Sequence, residues 1–347
     1  AMRERHRGPM LRGIDMVMVS KMKIERIVAD GDLDGLFSAA ILRRVWPSAK
    51  VRFTHPAEVR SGGIDDWIGA DTALLDLPFH PDCGLHIDHH LTNKPTPEQE
   101  EAFAAEGGRI VWRDALSAAR VCFDTFCEVV DLSDLEVWMS MVDKLDGGRI
   151  SREEFLSEDP IVWIGRTINA EDVEYCHVLL DKVTEGCTPE ALVNETMVAD
   201  RVAVARAQFE GLQRMLDGCT EIVDRLAVVR LEGEGVRTNG YLVTAHFGEA
   251  CDACMIIHGH VDGKIGDGGR WPLSASFYTN SFVHEEGGIF DLTRLACAFD
   301  LDGGGHANAC GCRIQPLSEE GAVEARAVTS GDIQRNIDAW LVEWAQR

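Results

Sequence analysis

The chain has 347 residues, 45% of them hydrophobic, enough to fill the cores of two ordinary domains. Its formal net charge is −24, and seven of its 34 basic residues fall within the first 26 positions, so the rest is more acidic still. That balance opposes non-specific binding to long nucleic acid, whose affinity comes mainly from Lys and Arg displacing counterions along the phosphate backbone. In chain order, residues 1–22 read as a flexible N-terminal extension. Short apolar runs at 23–29, 50–54, 72–76, 84–88 and 109–112 read as strands interleaved with helical patterns, as in a parallel α/β sheet. A helix with mixed apolar faces is expected from Leu36 to Val45, and others over 116–130 and 132–145. More helix is expected through about residue 216, and a connecting segment is placed at 191–220. Strand-like stretches then return at 226–231, 241–245, 273–278 and 312–315, with a helix near 289–299 and a capped final helix over 333–345. The domain boundaries that follow are 1–22, 23–190, 191–220 and 221–347. No apolar run reaches 18 residues, so no membrane span is expected. Eleven Cys scattered through a large chain suit reduced thiols, hence a cytoplasmic location.

Three clusters carry chemistry. The first is Asp30-Gly31-Asp32-Leu33-Asp34-Gly35, three like charges crowded at the end of a strand. Such crowding is unfavourable unless the loop is well solvated or a cation sits in it. The pattern opens like an EF-hand loop, but the twelfth position, which needs a bidentate Glu, is Ile41. The second cluster is Asp88-His89-His90 at another strand end, offering a carboxylate and imidazoles suited to Mn, Fe or Zn. With Asp76, three strands deliver carboxylates to one rim of the sheet, the edge where open α/β sheets place their ligands. The third cluster is Gly303-Gly304-Gly305-His306, which reads either as a backbone cradle for an anion with a histidine behind it or as a tight connection. A rival metal reading, structural zinc at Cys251, Cys254, His258 and His260, is disfavoured because Met255-Ile256-Ile257 continues without a turn.

Taken in order, these stretches resemble the DHH phosphoesterase superfamily in its branch with a C-terminal DHHA1 domain, which includes RecJ-type exonucleases, nano-RNase/pAp phosphatases and cyclic-dinucleotide phosphodiesterases. The resemblance spans about residues 23 to 316. It implies a parallel-sheet DHH domain followed by a smaller α/β DHHA1 domain, with the active site in the cleft between them. It also implies two divalent ions, Mn²⁺ with Mg²⁺ or Co²⁺ as alternatives. Asp30, Asp32 and Asp76 would hold one ion, and Asp34, Asp76, His89 and Asp143 the other. Asp146, three residues beyond Asp143 on the same helix face, reads as a solvated carboxylate. Asp88 would support the ligands from behind, and His90 and His306 would hold the phosphate, with Gly303, Gly304 and Gly305 beside it. In the nano-RNase branch the second domain carries S-x-R-S. The corresponding stretch here, Ser281-Phe282-Val283-His284, lacks the Arg, leaving His284 or Arg270 to serve. The expected activity is hydrolysis of phosphodiester or phosphomonoester bonds in short oligonucleotides or small nucleotides. A polyphosphate or pyrophosphate hydrolase, a RecJ-like single-strand exonuclease and a non-catalytic phosphate sensor stand as alternatives. The expected partner is a small phosphorylated substrate or short oligonucleotide, with no membrane and a homodimer as one option.

Overall fold

The computed structural model describes residue 19 and residues 21–264, 270–284 and 287–347. Most of the expected N-terminal extension lies outside the described residues. Two compact units emerge: the first runs to Ile150 and resumes over Glu158–Ala205, and the second takes Ser151–Ser157 and Arg206–Arg347. The division falls inside the helix Thr196–Cys219.

In the first unit β1 (Arg26–Asp30), β2 (Lys50–Thr54), β3 (Thr72–Leu75), β4 (Leu85–Asp88) and β5 (Arg109–Trp112) form a wholly parallel sheet in the order β2-β1-β3-β4-β5. All four residues of β3 and of β4 are buried, as expected of parallel strands covered on both faces. The helix Leu33–Val45 begins where Asp32 accepts a hydrogen bond from the Gly35 amide, and it is buried continuously from Leu33 to Leu42. It is therefore enclosed on every face rather than amphipathic. The strand order reverses between β1 and β3, so the carboxyl ends of these two strands flank the crevice where a ligand fits in such a sheet.

The second unit holds β6 (Thr220–Val223), β7 (Leu226–Arg230), β8 (Ala253–His258), β9 (Ser274–Thr279), β10 (Gly304–His306) and β11 (Ala309–Arg313), in the order β10-β11-β9-β8-β7-β6. Only β7 and β8 pair in parallel, so the sheet is mixed. The period-two alternation of strands divides its side chains between two cores. Leu226, Val228, Met255, Ile257 and Phe277 face the final helix Ser330–Trp344 through Ile333, Ile337, Trp340 and Trp344. Ala227, Val229, Cys254 and Ile256 face Leu212, Leu216, Leu242 and Val243.

One expected strand is a helix. Residues 241–245 lie within the helix Gly240–Phe247, started by Asn239, whose side chain accepts from the Leu242 amide. A five-residue apolar run does not separate strand from buried helix by periodicity, and the capping Asn decides. The helix expected near 289–299 is reduced to Thr293–Ala296. Among the described residues no helix is long and apolar enough to cross a membrane.

Candidate metal centre

Two glycines let the first acidic loop fold tightly. A Cβ on Gly31 would stand 2.2 Å from the Ala170 Cβ, and one on Gly35 would stand 2.2 Å from the Asp30 carbonyl oxygen. Asp30 ends β1 and accepts from the Gly31 amide at 2.6 Å. Asp32 is the helix cap, and Asp34 lies in the first helical turn, 1% exposed. The two oxygens of Asp34 accept from the amides of Ala118 and Ala119, at 2.7 and 2.6 Å, at the start of the helix Ala118–Phe126.

Asp76 directly follows β3 with φ +57°. Left-handed backbone costs a non-glycine residue about 1–2 kcal/mol, least for Asp and Asn, so the surroundings must hold it there. Its Oδ1 lies 3.6 Å from His89 Nε2 and 3.5 Å from His90 Nδ1, and is buried without a hydrogen bond. His89 bonds the Ala115 carbonyl through Nδ1 at 3.1 Å. Because a carbonyl only accepts, the proton sits on Nδ1, and Nε2 is left for a cation. That Nε2 is also buried without a hydrogen bond, 3.7 Å from Asp34 Oδ2 and 3.1 Å from Asp146 Oδ2.

Asp88 has a different position. Its Oδ1 accepts from the His89 and His90 amides and, at 2.9 Å, from His90 Nδ1, and its Oδ2 accepts from Asn93. The carboxylate is spent on orienting its neighbours, and the His90 and Asn93 bonds hold it below the usual carboxylate range although burial alone would raise it.

Asp143 does not join the cluster. Its Oδ1 accepts from Ser117 Oγ at 2.8 Å, and its Oδ2 accepts from Arg120 at 3.0 and 2.7 Å. The carboxylate that reaches His89 is Asp146, the last residue of the helix Glu136–Asp146, whose Oδ2 is buried without a hydrogen bond. The geometry thus brings Asp146, and not the expected Asp143, beside His89. Asp143 lies one turn back, where an arginine claims it, whereas Asp146 stands at the helix end with Gly147 and Gly148 after it. The acid followed by two glycines, marking a helix terminus, was the available signal in the sequence.

Three groups of ligand atoms result: Asp30, Asp32 and Asp76; Asp34, His89 and Asp146; and Asp76, Asp88, His89 and His90. Such crowding has an electrostatic cost. Burial, then Asp32, lifts the Asp30 carboxyl to about 7, and burial with neighbouring acids drives Asp34 and Asp76 well above the ordinary range. Burial would lower His89, but Asp146 and Asp34 outweigh it and hold the imidazole at about 9. A buried Asp76 Oδ1 without a hydrogen bond, and a His89 imidazole held protonated against Asp146 at 3.1 Å, mark a place where positive charge belongs. Carboxylates with one imidazole and no thiolate fit a hard or borderline divalent cation such as Mg²⁺ or Mn²⁺.

The remaining expected residues lie in the second unit. Gly304, Gly305 and His306 form the short strand β10, paired with β11, rather than an open loop. Gly303 and Gly305 have packing reasons to be glycine: a Cβ would stand 2.2 Å from the Ala296 carbonyl oxygen in the first case and 2.7 Å from that of Ala309 in the second. His306 is exposed. His284 Nε2 meets Asp252 Oδ1 at 2.9 Å, and the same carboxylate takes two bonds at 2.7 Å from Arg225. Arg270 pairs with Asp262. The residues considered for the missing Arg are thus both engaged within their own unit.

The architecture is shared with solved proteins of low sequence identity. A pGpG-specific phosphodiesterase from Vibrio cholerae matches with a TM-score of 0.67 at 20% identity, covering 92% of this chain and 98% of its own. A DHH domain from a protein described as belonging to a family of ribosomal proteins matches with a TM-score of 0.58 at 12% identity, covering 94% and 87% respectively. RecJ from Thermus thermophilus in complex with Mn²⁺ matches at 0.54 and 16% identity, covering 94% of this chain and 53% of its own. No family model and no curated protein sequence matches the chain. At these identities the likeness establishes the fold: a two-domain DHH/DHHA1 architecture.

Proposed function

We propose that this chain, which has the DHH/DHHA1 fold, is a divalent-metal-dependent phosphoesterase acting on short oligonucleotides or small nucleotides. The observation that carries the reading is the convergence of three buried atoms without a hydrogen bond, Asp76 Oδ1, His89 Nε2 and Asp146 Oδ2, with His89 Nε2 3.6 and 3.1 Å from the other two, near the sheet's reversal point. Asp30, Asp32 and Asp76 are assigned to one cation, and Asp34, Asp76, His89 and Asp146 to a second, with Asp76 shared. Mn²⁺ is the assigned metal, from the donor set and from the Mn²⁺ in the RecJ structure. Such a pair supplies a water of lowered pKa and positive charge for the phosphate oxygens.

The chain's own groups do the rest. Ala115 keeps the His89 proton on Nδ1 and so directs Nε2 to the centre. Asp88 fixes the His90 ring for the substrate's phosphate. Gly303 to His306 and His284, in the second unit, are assigned to binding a phosphorylated ligand.

A pair of cations brings positive charge to one phosphate, whereas a long strand needs a basic groove that a −24 chain is poorly composed to build. Hydrolysis in Mn²⁺ should therefore be faster on a 5′-phosphorylated dinucleotide than on long single strands at near-physiological salt. Rates for one labelled phosphodiester, measured at increasing strand length, check this. A rate that climbs with length would favour the exonuclease alternative.

A further inference from the structure

Asp76 is the carboxylate assigned to both cations, yet its side chain, like that of Asp146, has a buried oxygen with no hydrogen bond to fix it. Asp30, Asp32, Asp34 and Asp88 each accept at least one backbone amide, which fixes the direction of the carboxylate. Asp76 Oδ1 accepts nothing. Where a side chain has no bond of its own, its aim is set by the backbone that carries it, and here that backbone is left-handed.

Two hydrogen bonds from adjacent residues of β4 pin that turn. The Asp76 amide donates to the Ile87 carbonyl at 3.0 Å. One residue on, the Leu77 carbonyl lies 2.9 Å from His86 Nε2. A carbonyl can only accept, so His86 carries its proton on Nε2, and its Nδ1 is buried without a hydrogen bond. The imidazole is fully buried, with the Phe79 ring edge-on at 5.4 Å. A residue of this kind is costly to bury, and half its polar capacity is unused. What it accomplishes is to hold the Leu77–Pro78 peptide, the second after Asp76.

The geometry points to His86 as a positioning residue for the metal centre: its Nε2–H bond to the Leu77 carbonyl locks the left-handed turn that aims Asp76 Oδ1 at the cations. The inference rests on the reading of Asp76 as a shared metal ligand. Neither His86 nor Leu77 is assigned as a ligand, so the effect passes entirely through the turn.

The test is Mn²⁺ affinity, read by titration calorimetry and by the loss of the free-ion paramagnetic resonance signal, on three variants of the whole chain. His86→Leu removes the donor at similar volume and should weaken Mn²⁺ binding about 10–100-fold, the range for outer partners of metal ligands. His86→Gln, whose amide reaches near the Nε2 position, should recover most of that affinity. His86→Asn, equally polar but one methylene shorter, should not. The Gln and Asn pair keeps the comparison decisive even if the Leu variant fails to fold, because both retain a buried amide and differ only in reach. Equal Mn²⁺ affinity in Gln and Asn variants, or parental affinity in His86→Leu, overturns the inference. Asp76→Asn separates it from the reading beneath, since Asn tolerates the left-handed backbone but is a poor ligand. Parental Mn²⁺ affinity in Asp76→Asn would reject the metal assignment itself, whereas lost affinity there beside intact binding in His86→Leu would reject the positioning role alone.

Discussion

Replacing Asp146 with Asn should lower Mn²⁺ affinity by about 100-fold or more, beyond the range of outer-partner substitutions, whereas Asp143→Asn should leave it nearly unchanged. The two residues lie one helical turn apart and differ in what their oxygens already hold. Asp146 Oδ2 is buried, unbonded and 3.1 Å from His89 Nε2. Both Asp143 oxygens are committed to Ser117 and Arg120. Neutralising Asp143 instead removes the partner of a guanidinium, a loss of about 1–3 kcal/mol for a charged hydrogen-bonded pair, toward the lower end because the Arg120 side chain is 29% exposed. Calorimetric titration and thermal melts of both variants measure the two effects separately. Lost Mn²⁺ affinity in Asp143→Asn with intact affinity in Asp146→Asn would reverse the assignment.

Stripped of metal, the protein should become less stable as pH rises from about 6.5 to 8, and added Mn²⁺ should stabilise it more at the upper end. The sign follows from which state holds more protons. The Asp30 carboxyl, lifted to about 7, keeps a proton in the folded chain that the unfolded chain has already released near its ordinary value of 3.8. Burial and neighbouring acids also raise Asp34 and Asp76 well above the ordinary range, so they too hold protons in the folded chain that rising pH removes. His89 adds to the trend. Held at about 9 by Asp146 and Asp34 against the effect of burial, its contribution is complete below 6.5 and disappears as pH climbs through the raised value.

Opposing groups act elsewhere on the pH scale. Arg313 holds Asp300 at about 2, so that contribution is lost only in acid, and His258, pushed down to about 4 by burial, adds stability with rising pH mainly below its unfolded value of 6.5, fading at the lower edge of the window. A cation replaces the protons on these ligands, which is why its benefit grows as they become harder to retain. Melting temperatures with chelator and with Mn²⁺ at the two pH values decide it. A metal-free protein that gains stability across this window would show that the carboxylates are not crowded as described.

The strands ending at Asp30 and Asp88 and the one just before Asp76 were legible because buried parallel strands leave a local mark: a short run of Ile, Val, Leu or Ala stopped by an acid. The choice between Asp143 and Asp146 was only half legible: the two glycines after Asp146 mark a helix end, but what removes Asp143 is Arg120, which comes from a different helix and meets only that one of the two. The helix Gly240–Phe247 escaped for a related reason. Tyr241-Leu242-Val243 has strand composition, and burial against the second sheet overrides that preference. His86 left no signal at all, because a histidine inside an apolar strand becomes informative only when its partner, the Leu77 carbonyl, is known.

The carboxylate of Asp34 does two jobs, and this matters for anyone who wants an inert version of the protein. Besides facing His89, it ties down the first two amides of the helix Ala118–Phe126, the helix that also carries Arg120. Truncating it would take away the hold on a helix terminus together with a proposed ligand, and an inactive product could not be told from a misfolded one. Asp34 is thus the wrong place to cut. Asp146, at the loose end of its helix and with its inward oxygen bonded to no amide, is where chemistry and architecture come apart most cleanly.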